Sequence, residues 1–122
     1  MKKLFIVFVM LLAGSAWAEW VIYETTDTNT FYYDPTTIRK DGNMRQVWVL
    51  LNWRKRDKDN VMSHRLRYEY DCKQERYRFL AISVHTEPMA GGEILLQNLD
   101  TPWIDIAPAT AAAAMFKIAC LK

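Results

Sequence analysis

The positions of the two cysteines constrain this fold more than any other feature of the sequence. Cys72 lies near the middle of the 122-residue chain, and Cys120 is third from its C-terminal end. In an oxidising compartment such a pair is expected to form a disulfide rather than a metal site or a nucleophile. The bridge would enclose 47 residues and contribute about 4 kcal/mol by the chain-entropy estimate.

The N-terminal segment predicts that the chain reaches such a compartment. Two lysines precede an apolar run at residues 4–13, and residues 16–18 read Ala-Trp-Ala. This is the pattern of a signal peptide, residues 1–18, cleaved after Ala18. The apolar run is too short to span a membrane, and Ser15 stands where a lipoprotein signal needs a cysteine. We therefore expect an exported protein without lipid or transmembrane segment, in the periplasm or cell envelope, with surface exposure left open.

Removal of the signal peptide changes the charge of the chain. The whole sequence has 16 Lys and Arg against 14 Asp and Glu, and two of the lysines leave with the signal. The mature residues 19–122 are then formally neutral and are expected to form a single domain with one modest core. Export and neutrality argue against a nucleic-acid partner.

The mature chain reads mostly as short strands separated by turns. Met44–Trp53 has apolar residues on both faces, which is typical of a central strand covered on both sides. Residues 63–72 alternate cleanly and place Cys72 on the apolar face of a half-buried antiparallel strand. The alternation of the following strand switches near Leu80, which indicates a bulge. A further strand is predicted after Gly91 and Gly92.

The C-terminal residues change to a helical period. Thr110 is a candidate N-cap, and four consecutive alanines favour helix. Ala112, Phe116 and Cys120 recur at four-residue intervals and are predicted to form one apolar stripe. The expected fold class is therefore α+β: a single antiparallel sheet of about six strands, with one C-terminal helix packed on one face and tethered by a disulfide between Cys72 and Cys120.

The chain resembles the surface-adhesin protein E family of Gram-negative envelope proteins over nearly all of its mature length. The resemblance rests on spaced positions: Trp20, "YYDPTTI" at residues 32–38, Gly42, Trp48, "YDC" ending at Cys72, "WIDIAP" at residues 103–108, and Cys120. It implies a disulfide-tethered helix on an antiparallel sheet, and adhesion to host matrix or plasma proteins in pathogen members. Two departures are Ser15, at the position of the lipid-anchored cysteine, and Ala109-Thr110, where the family has Gly-Ser.

Catalysis finds little support in the sequence. The two histidines are isolated, and His64 is predicted to be a packed or hydrogen-bonded residue of a strand. Clustered Cys and His ligands, a glycine-rich phosphate loop and a G-x-S-x-G motif are all lacking. We expect no metal, no cofactor and no enzymatic activity, although a hydrolase with an unrecognised site remains the rival from a different class.

Local charge provides the candidate binding site. Lys and Arg concentrate between residues 39 and 78, while residues 79–116 contain neither. Arginine suits planar anions such as carboxylate and sulfate, so we expect a protein or anionic glycan ligand; Arg76 and Arg78 join the site only if the strand register allows. A solvated face that resists aggregation is the alternative interpretation. The candidate residues, none of which is expected to face the core, are Arg54, Lys55, Arg56, Lys58, Arg65 and Arg67.

Together these features predict an exported, non-enzymatic binding module that resembles a bacterial surface adhesin. The alternative is a soluble periplasmic protein that acts as a structural partner or inhibitor of an envelope component. The four mature tryptophans and six tyrosines together exceed the needs of one small core. Trp48, on the second face of the central strand, leaves a homodimer open.

Overall fold

The computed structural model describes residues 18–98 and 101–121. The predicted signal peptide lies outside the described residues except for Ala18, so its cleavage stays a prediction. In the described part of the chain, no helix has the length and hydropathy of a membrane span.

The described residues form eight strands, two short 3-10 turns and one helix, in an order that runs from strands to a terminal helix. The 3-10 turns are Pro35–Thr37 and Pro88–Ala90, and the helix, α1, is Ala111–Cys120. The strands are β1 Val21–Thr25, β2 Asn29–Tyr33, β3 Arg39–Asp41, β4 Met44–Trp53, β5 Ser63–Asp71, β6 Arg76–Glu87, β7 Gly91–Asn98 and β8 Ile104–Asp105.

All strand pairs are antiparallel and belong to one sheet. The spatial order is β1-β2-β4-β5-β6-β7, with β3 added to β4 and β8 added to β6. The expected α+β class is confirmed. The described residues hold more than the expected six strands because β3 and β8, of three and two residues, give little sequence signal. β4 and β5 occupy the middle of the sheet, where long apolar strands are best covered.

A bulge at Leu80 controls which side chains of β6 face the core. Tyr68 pairs with Phe79 while Arg67 pairs with Ala81, so Leu80 has no partner on β5. The extra residue shifts the alternation by one position and brings Ile82 to the same face as Phe79. The bulge predicted from the sequence is confirmed.

The core lies between α1 and one face of the sheet. Its buried members come from β4, β5 and the helix: Val47, Val49, Leu66, Tyr68, Tyr70, Met115 and Ala119. The helix is rotated from its expected orientation. Met115 and Ala119 are the fully buried pair, while the predicted stripe residues Phe116 and Cys120 are half-buried beside them. Successive helix positions differ by about 100°, so each of these neighbours lies to one side of the buried line.

Two contacts outside the apolar core fix the ends of α1. The Cys72–Cys120 disulfide is present, with the two Cα atoms 5.5 Å apart, and confirms the predicted tether. At the other end the Thr110 hydroxyl accepts a hydrogen bond from the Ala113 backbone N–H at 3.2 Å, which confirms the predicted N-cap. Ala109, before the cap, has a φ of 59°, a left-handed conformation that costs an alanine about 1 kcal/mol and a glycine almost nothing.

Candidate functional site

The face of the sheet opposite α1, called here the open face, carries most of the charged strand residues. Its side chains come from alternate positions of β4, β5 and β6 because each antiparallel pair places opposed residues on the same side. The polar, charged and aromatic members include Gln46, Trp48, Arg65, Arg67, Glu69, Asp71, Arg76 and Arg78. The sequence-predicted pair Arg65 and Arg67 therefore lies on this face, away from the helix.

At one end of the open face the arginines are neutralised. Arg78 forms an ion pair with Glu69 at 2.7 Å, and Arg76 forms one with Asp71 at 3.2 Å. Both carboxylates are buried, and both guanidinium groups stack on Trp103, with centroid distances of 4.5 and 4.6 Å. The register therefore brings Arg76 and Arg78 to the predicted face, but as parts of a closed network rather than as cations available to a ligand.

Asp71 is held in its charged form by this network. Its carboxylate accepts hydrogen bonds from the backbone N–H groups of Gln74 and Lys73, at 3.1 and 3.2 Å, and from Arg76. These bonds keep the pKa of Asp71 below its usual range, and the bond from the Gln74 backbone contributes most. The buried acids of β5 thus have a structural role that their position on the polar face of the strand did not reveal.

Arg67 and Arg65 differ in how far they are engaged. Arg67 donates a hydrogen bond to the Gln46 side-chain oxygen, and the Gln46 amide in turn donates to Glu69 at 3.1 Å. Arg65 is exposed, and its guanidinium lies 4.8 Å from the centroid of the Trp48 ring. In the part of the chain that the structure describes, Arg65 has no carboxylate within 4 Å. Of the four arginines that β5 and β6 place on this face, Arg65 is therefore the one that remains available.

The four remaining candidates lie in residues 54–60, called here the basic loop, which form most of the connection between β4 and β5. Arg54 donates to the Thr26 carbonyl through Nε and Nη2, at 3.3 and 3.0 Å. Arg56 donates to the Thr86 carbonyl and to the Asn60 side-chain oxygen. These two arginines attach the basic loop to the β1–β2 turn and to the end of β6.

The two lysines of the basic loop are exposed. Within the described residues, neither Lys55 nor Lys58 makes a hydrogen bond or an ion pair of its side chain. The Asp57 carboxylate accepts from the backbone N–H groups of Asp59 and Val61, at 2.8 and 2.9 Å, which fixes the shape of the loop around the lysines. The basic loop is thus a braced scaffold that presents two ammonium groups to solvent.

A cavity of about 420 Å³ lies under the basic loop. It is lined by Asp27, Thr28, Trp53, Arg54, Lys55, Arg56 and Asp57. The Trp53 ring is fixed because its N–H donates to His64 Nδ1 at 3.2 Å. The sequence did not assign Trp53, Asp27 or Thr28 to a site. The pairing of β2 with β4, in which Asn29 opposes Trp53, is what brings the β1–β2 turn to the basic loop.

The structure therefore separates the six predicted residues into two groups. Four are in the basic loop, and two are on the open face. The Asn52–Ser63 pair is the last of the β4–β5 ladder, and Arg65 is two residues further along β5, opposite Leu50. The groups lie in succession along the same hairpin.

Neither histidine has the surroundings of a catalytic base. His64 accepts the Trp53 bond, and burial lowers its pKa. His85 is buried, with its Nε2 2.7 Å from the Ser83 hydroxyl. Burial is the main cause that lowers the pKa of His85, and Arg65 and His64 add to it. Across residues 18–98 and 101–121, no group of three or more Cys, His, Asp or Glu side chains is placed to hold a metal ion.

We expect the two histidines to make the fold sensitive to mild acid. A histidine whose pKa is lowered in the folded state takes up its proton first in the unfolded chain, near pH 6.5. The stability that depends on neutral His64 and His85 is therefore complete above about pH 6.5 and is lost as the pH falls through the lowered values. Thermal unfolding at pH 7.5, 6.5 and 5.5 measures the effect, and the drop should be smaller in a His85→Gln variant. An unfolding midpoint that does not change over this range contradicts the expectation.

Comparison with known proteins agrees with the geometry. The sequence profile of the family described as surface-adhesin protein E matches residues 20–121. Crystal form II of Haemophilus influenzae protein E has a TM-score of 0.60 at 12% identity, with 87% of this chain and 97% of that chain covered. The selenomethionine form of the same protein has a TM-score of 0.60 at 13% identity, with 82% and 91% covered.

The two kinds of similarity carry different weight. No curated protein sequence matches this chain. The likeness to the solved structures, at 12–13% identity, is a likeness of fold. The family profile covers all of the described residues except Ala18 and Glu19, and the tethered helix on an antiparallel sheet is the fold that the resemblance implied. The chain therefore belongs to the surface-adhesin protein E family.

Proposed function

We propose that this protein is an exported, non-enzymatic binding module of the cell envelope that contacts an anionic macromolecule through the basic loop and Arg65. Membership of a surface-adhesin family supports an envelope location and a binding role. The choice of this surface rests on which cations are exposed and unpaired. Lys55, Lys58 and Arg65 are exposed and outside ion pairs among the described residues, whereas Arg76 and Arg78 are paired with buried acids.

The bracing of the basic loop supports a binding surface over a merely solubilising one. A solubilising charge needs no fixed position. Here Arg54 and Arg56 use their guanidinium groups to hold backbone carbonyls of two distant segments, and the lysines between and beside them are left exposed. A surface whose cations are positioned in advance loses less conformational entropy when it binds. The mature chain is neutral overall, so the attraction of an anionic ligand is directed to this part of the molecule.

The ligand class follows from the chemistry of these groups. Lysine ammonium groups and a stacked guanidinium suit sulfate and carboxylate groups spaced along a chain, as in a heparin-like glycan. Exposed charges mainly raise the rate at which a ligand associates, and their attraction is screened over about 8 Å at physiological ionic strength. We expect binding that is strong at low salt and weak at high salt.

The test is affinity for immobilised heparin at two salt concentrations. A Lys55→Glu/Lys58→Glu variant should bind about tenfold more weakly than wild type at low salt, a change equivalent to ~1.4 kcal/mol. The matched control is Lys40→Glu/Lys117→Glu, which makes the same change in net charge at two exposed lysines elsewhere. The lysines are preferable to Arg54 and Arg56 because these arginines hold the loop in place. Equal losses in the two double variants would show that only net charge matters and would contradict the proposed surface.

A further inference from the structure

The carboxylate of Asp34 is buried at the end of β2, with only 3% of the residue exposed. Its Oδ1 accepts hydrogen bonds from the Thr36 backbone N–H at 2.9 Å and from the Thr36 hydroxyl at 2.6 Å. Its Oδ2 has a different partner, the backbone nitrogen of Glu19, at 3.3 Å. One oxygen thus caps a turn, while the other points to the first residue of the predicted mature chain.

Asp34 is also attached to the central strand. Its backbone N–H donates to the Trp48 carbonyl at 3.1 Å, and the Trp48 N–H donates to the Thr37 hydroxyl at 3.1 Å. Within the described residues, no Lys or Arg nitrogen lies within 4 Å of the carboxylate. A buried carboxylate is normally paired with a cation because its desolvation is costly. Among these residues, Asp34 therefore has hydrogen-bond donors but no cationic partner.

We propose that Oδ2 of Asp34 is a binding site for a primary ammonium group, and that its ligand is the protein's own α-amino group at Glu19. The proposal rests on the predicted cleavage after Ala18. Hydrolysis adds one water across the Ala18–Glu19 amide and leaves a carboxylate on Ala18 and a protonated amine on Glu19. The nitrogen that contacts Asp34 thereby changes from a neutral single donor into a cation with three donors, which makes the hydrogen bond charge-assisted.

The surroundings of the site have room for this change. A cavity of about 160 Å³ adjoins the carboxylate, lined by Ala18, Trp20, Asp34, Thr37, Trp48 and Arg65. Cleavage removes Ala18, which is one of the residues that line this cavity. The new ammonium group of Glu19 therefore faces the cavity. The ion pair would hold Trp20 and the start of β1 against β2. β1 is an edge strand of the sheet, and an edge strand has hydrogen bonds on one side only.

This site does not include the basic loop. Arg65 lines the adjoining cavity but forms no ion pair with Asp34, so the two proposals can fail separately. The precursor and the mature protein would differ in the stability of the β1 edge, with the mature form favoured. An extension placed before Glu19, whether a tag or an uncleaved leader, would remove the ammonium group from Asp34 and weaken the edge.

A double-mutant cycle tests the pair directly. Protein is prepared with two defined starts, Glu19 and Ala18, and each start is combined with wild-type Asp34 and with Asp34→Asn. Asparagine keeps an oxygen for the Thr36 bonds and removes the charge. In the Asp34 background the Ala18 start should lower the thermal midpoint by about 4–8 °C, the shift typical of 1 kcal/mol in a small domain. In the Asp34→Asn background the thermal midpoints of the Glu19-start and Ala18-start proteins should differ by no more than about 1–2 °C. The reason is that most of the ~1 kcal/mol is coupling energy between the ammonium group and the Asp34 carboxylate. Equal shifts in both backgrounds would overturn the proposal.

A second measurement does not depend on the variant folding. The Glu19 α-amino group should react with acetic anhydride at neutral pH several-fold more slowly in the folded wild-type protein than in the same protein in urea. The exposed Lys117 amine provides the internal reference for reagent strength in each solution. An α-amine that reacts equally fast, relative to Lys117, in both states would show that it is not held by Asp34. A native protein whose intact mass corresponds to an N-terminal residue other than Glu19 would overturn the proposal as well.

Discussion

Replacing both Cys72 and Cys120 with serine is expected to lower the free energy of unfolding by about 2–5 kcal/mol. The bridge joins residues 48 positions apart, so its loss returns a long loop to the unfolded chain and gives that chain more conformational freedom. Net stabilities of small domains are about 5–15 kcal/mol, so this one change removes a large share. We expect the α1 end at Cys120 to fray and to expose Phe116, which is half-buried beside the core.

The measurement is urea-induced unfolding of wild type and the double-serine variant under non-reducing conditions. Leu121→Ser is the control because Leu121 follows α1 directly and is 70% exposed, so it should change the midpoint little. An unchanged midpoint in the double-serine variant would contradict the tether. So would two reactive thiols in the native protein denatured without reductant.

Met115→Ala is the second substitution for which we expect a large effect, a loss of about 2–5 kcal/mol. Met115 is fully buried and lies in the core cluster between α1 and the sheet. Truncation to alanine removes the apolar contacts of the side chain and leaves a cavity that the rigid sheet cannot close. Alanine has the higher helix propensity, so the loss cannot be a loss of local helix formation.

Chemical denaturation followed by circular dichroism measures the change. Leu121→Ala removes a similar apolar side chain from an exposed position and should have an effect within about 0.5 kcal/mol. If the helix is docked mainly by the disulfide and the hydrogen bond from the Tyr70 hydroxyl to the Ala112 carbonyl, at 3.0 Å, then Met115→Ala will cost no more than its control. That outcome would contradict the assignment of Met115 to the centre of the core.

These two experiments test the fold, whereas the proposed binding function depends on which cations are available to a ligand. The sequence grouped six basic residues by their type and position. In the structure, two of the six hold the basic loop, and a third, Arg67, is bonded to Gln46. Lys55, Lys58 and Arg65 therefore carry the proposed binding surface, and charge reversal of all four arginines would disturb the loop as well as the ligand.

Several features of this protein could be inferred from the sequence because their physical causes are local or periodic. The alternation of β5 placed Cys72 on the apolar face, and the change to a helical period placed Cys120 on a helix that had to cross that face. The Thr110 cap and the bulge at Leu80 were recognisable because each depends on a few adjacent residues. The antiparallel sheet, the terminal helix and their disulfide follow from these signals.

The rotation of α1 and the state of each charge were decided only by the tertiary structure. Met115 and Ala119, and not the predicted stripe, lie at the centre of the core. The helical period alone does not determine which residues are buried, because that also depends on the shape of the sheet surface against which the helix packs. Arg54 finds its acceptor 28 residues away and Arg56 finds one 30 residues away. The acids that neutralise Arg76 and Arg78 lie across a hairpin whose register sets the pairs. A charge is available to a ligand only if no other segment reaches it, and the chain must fold before those segments meet.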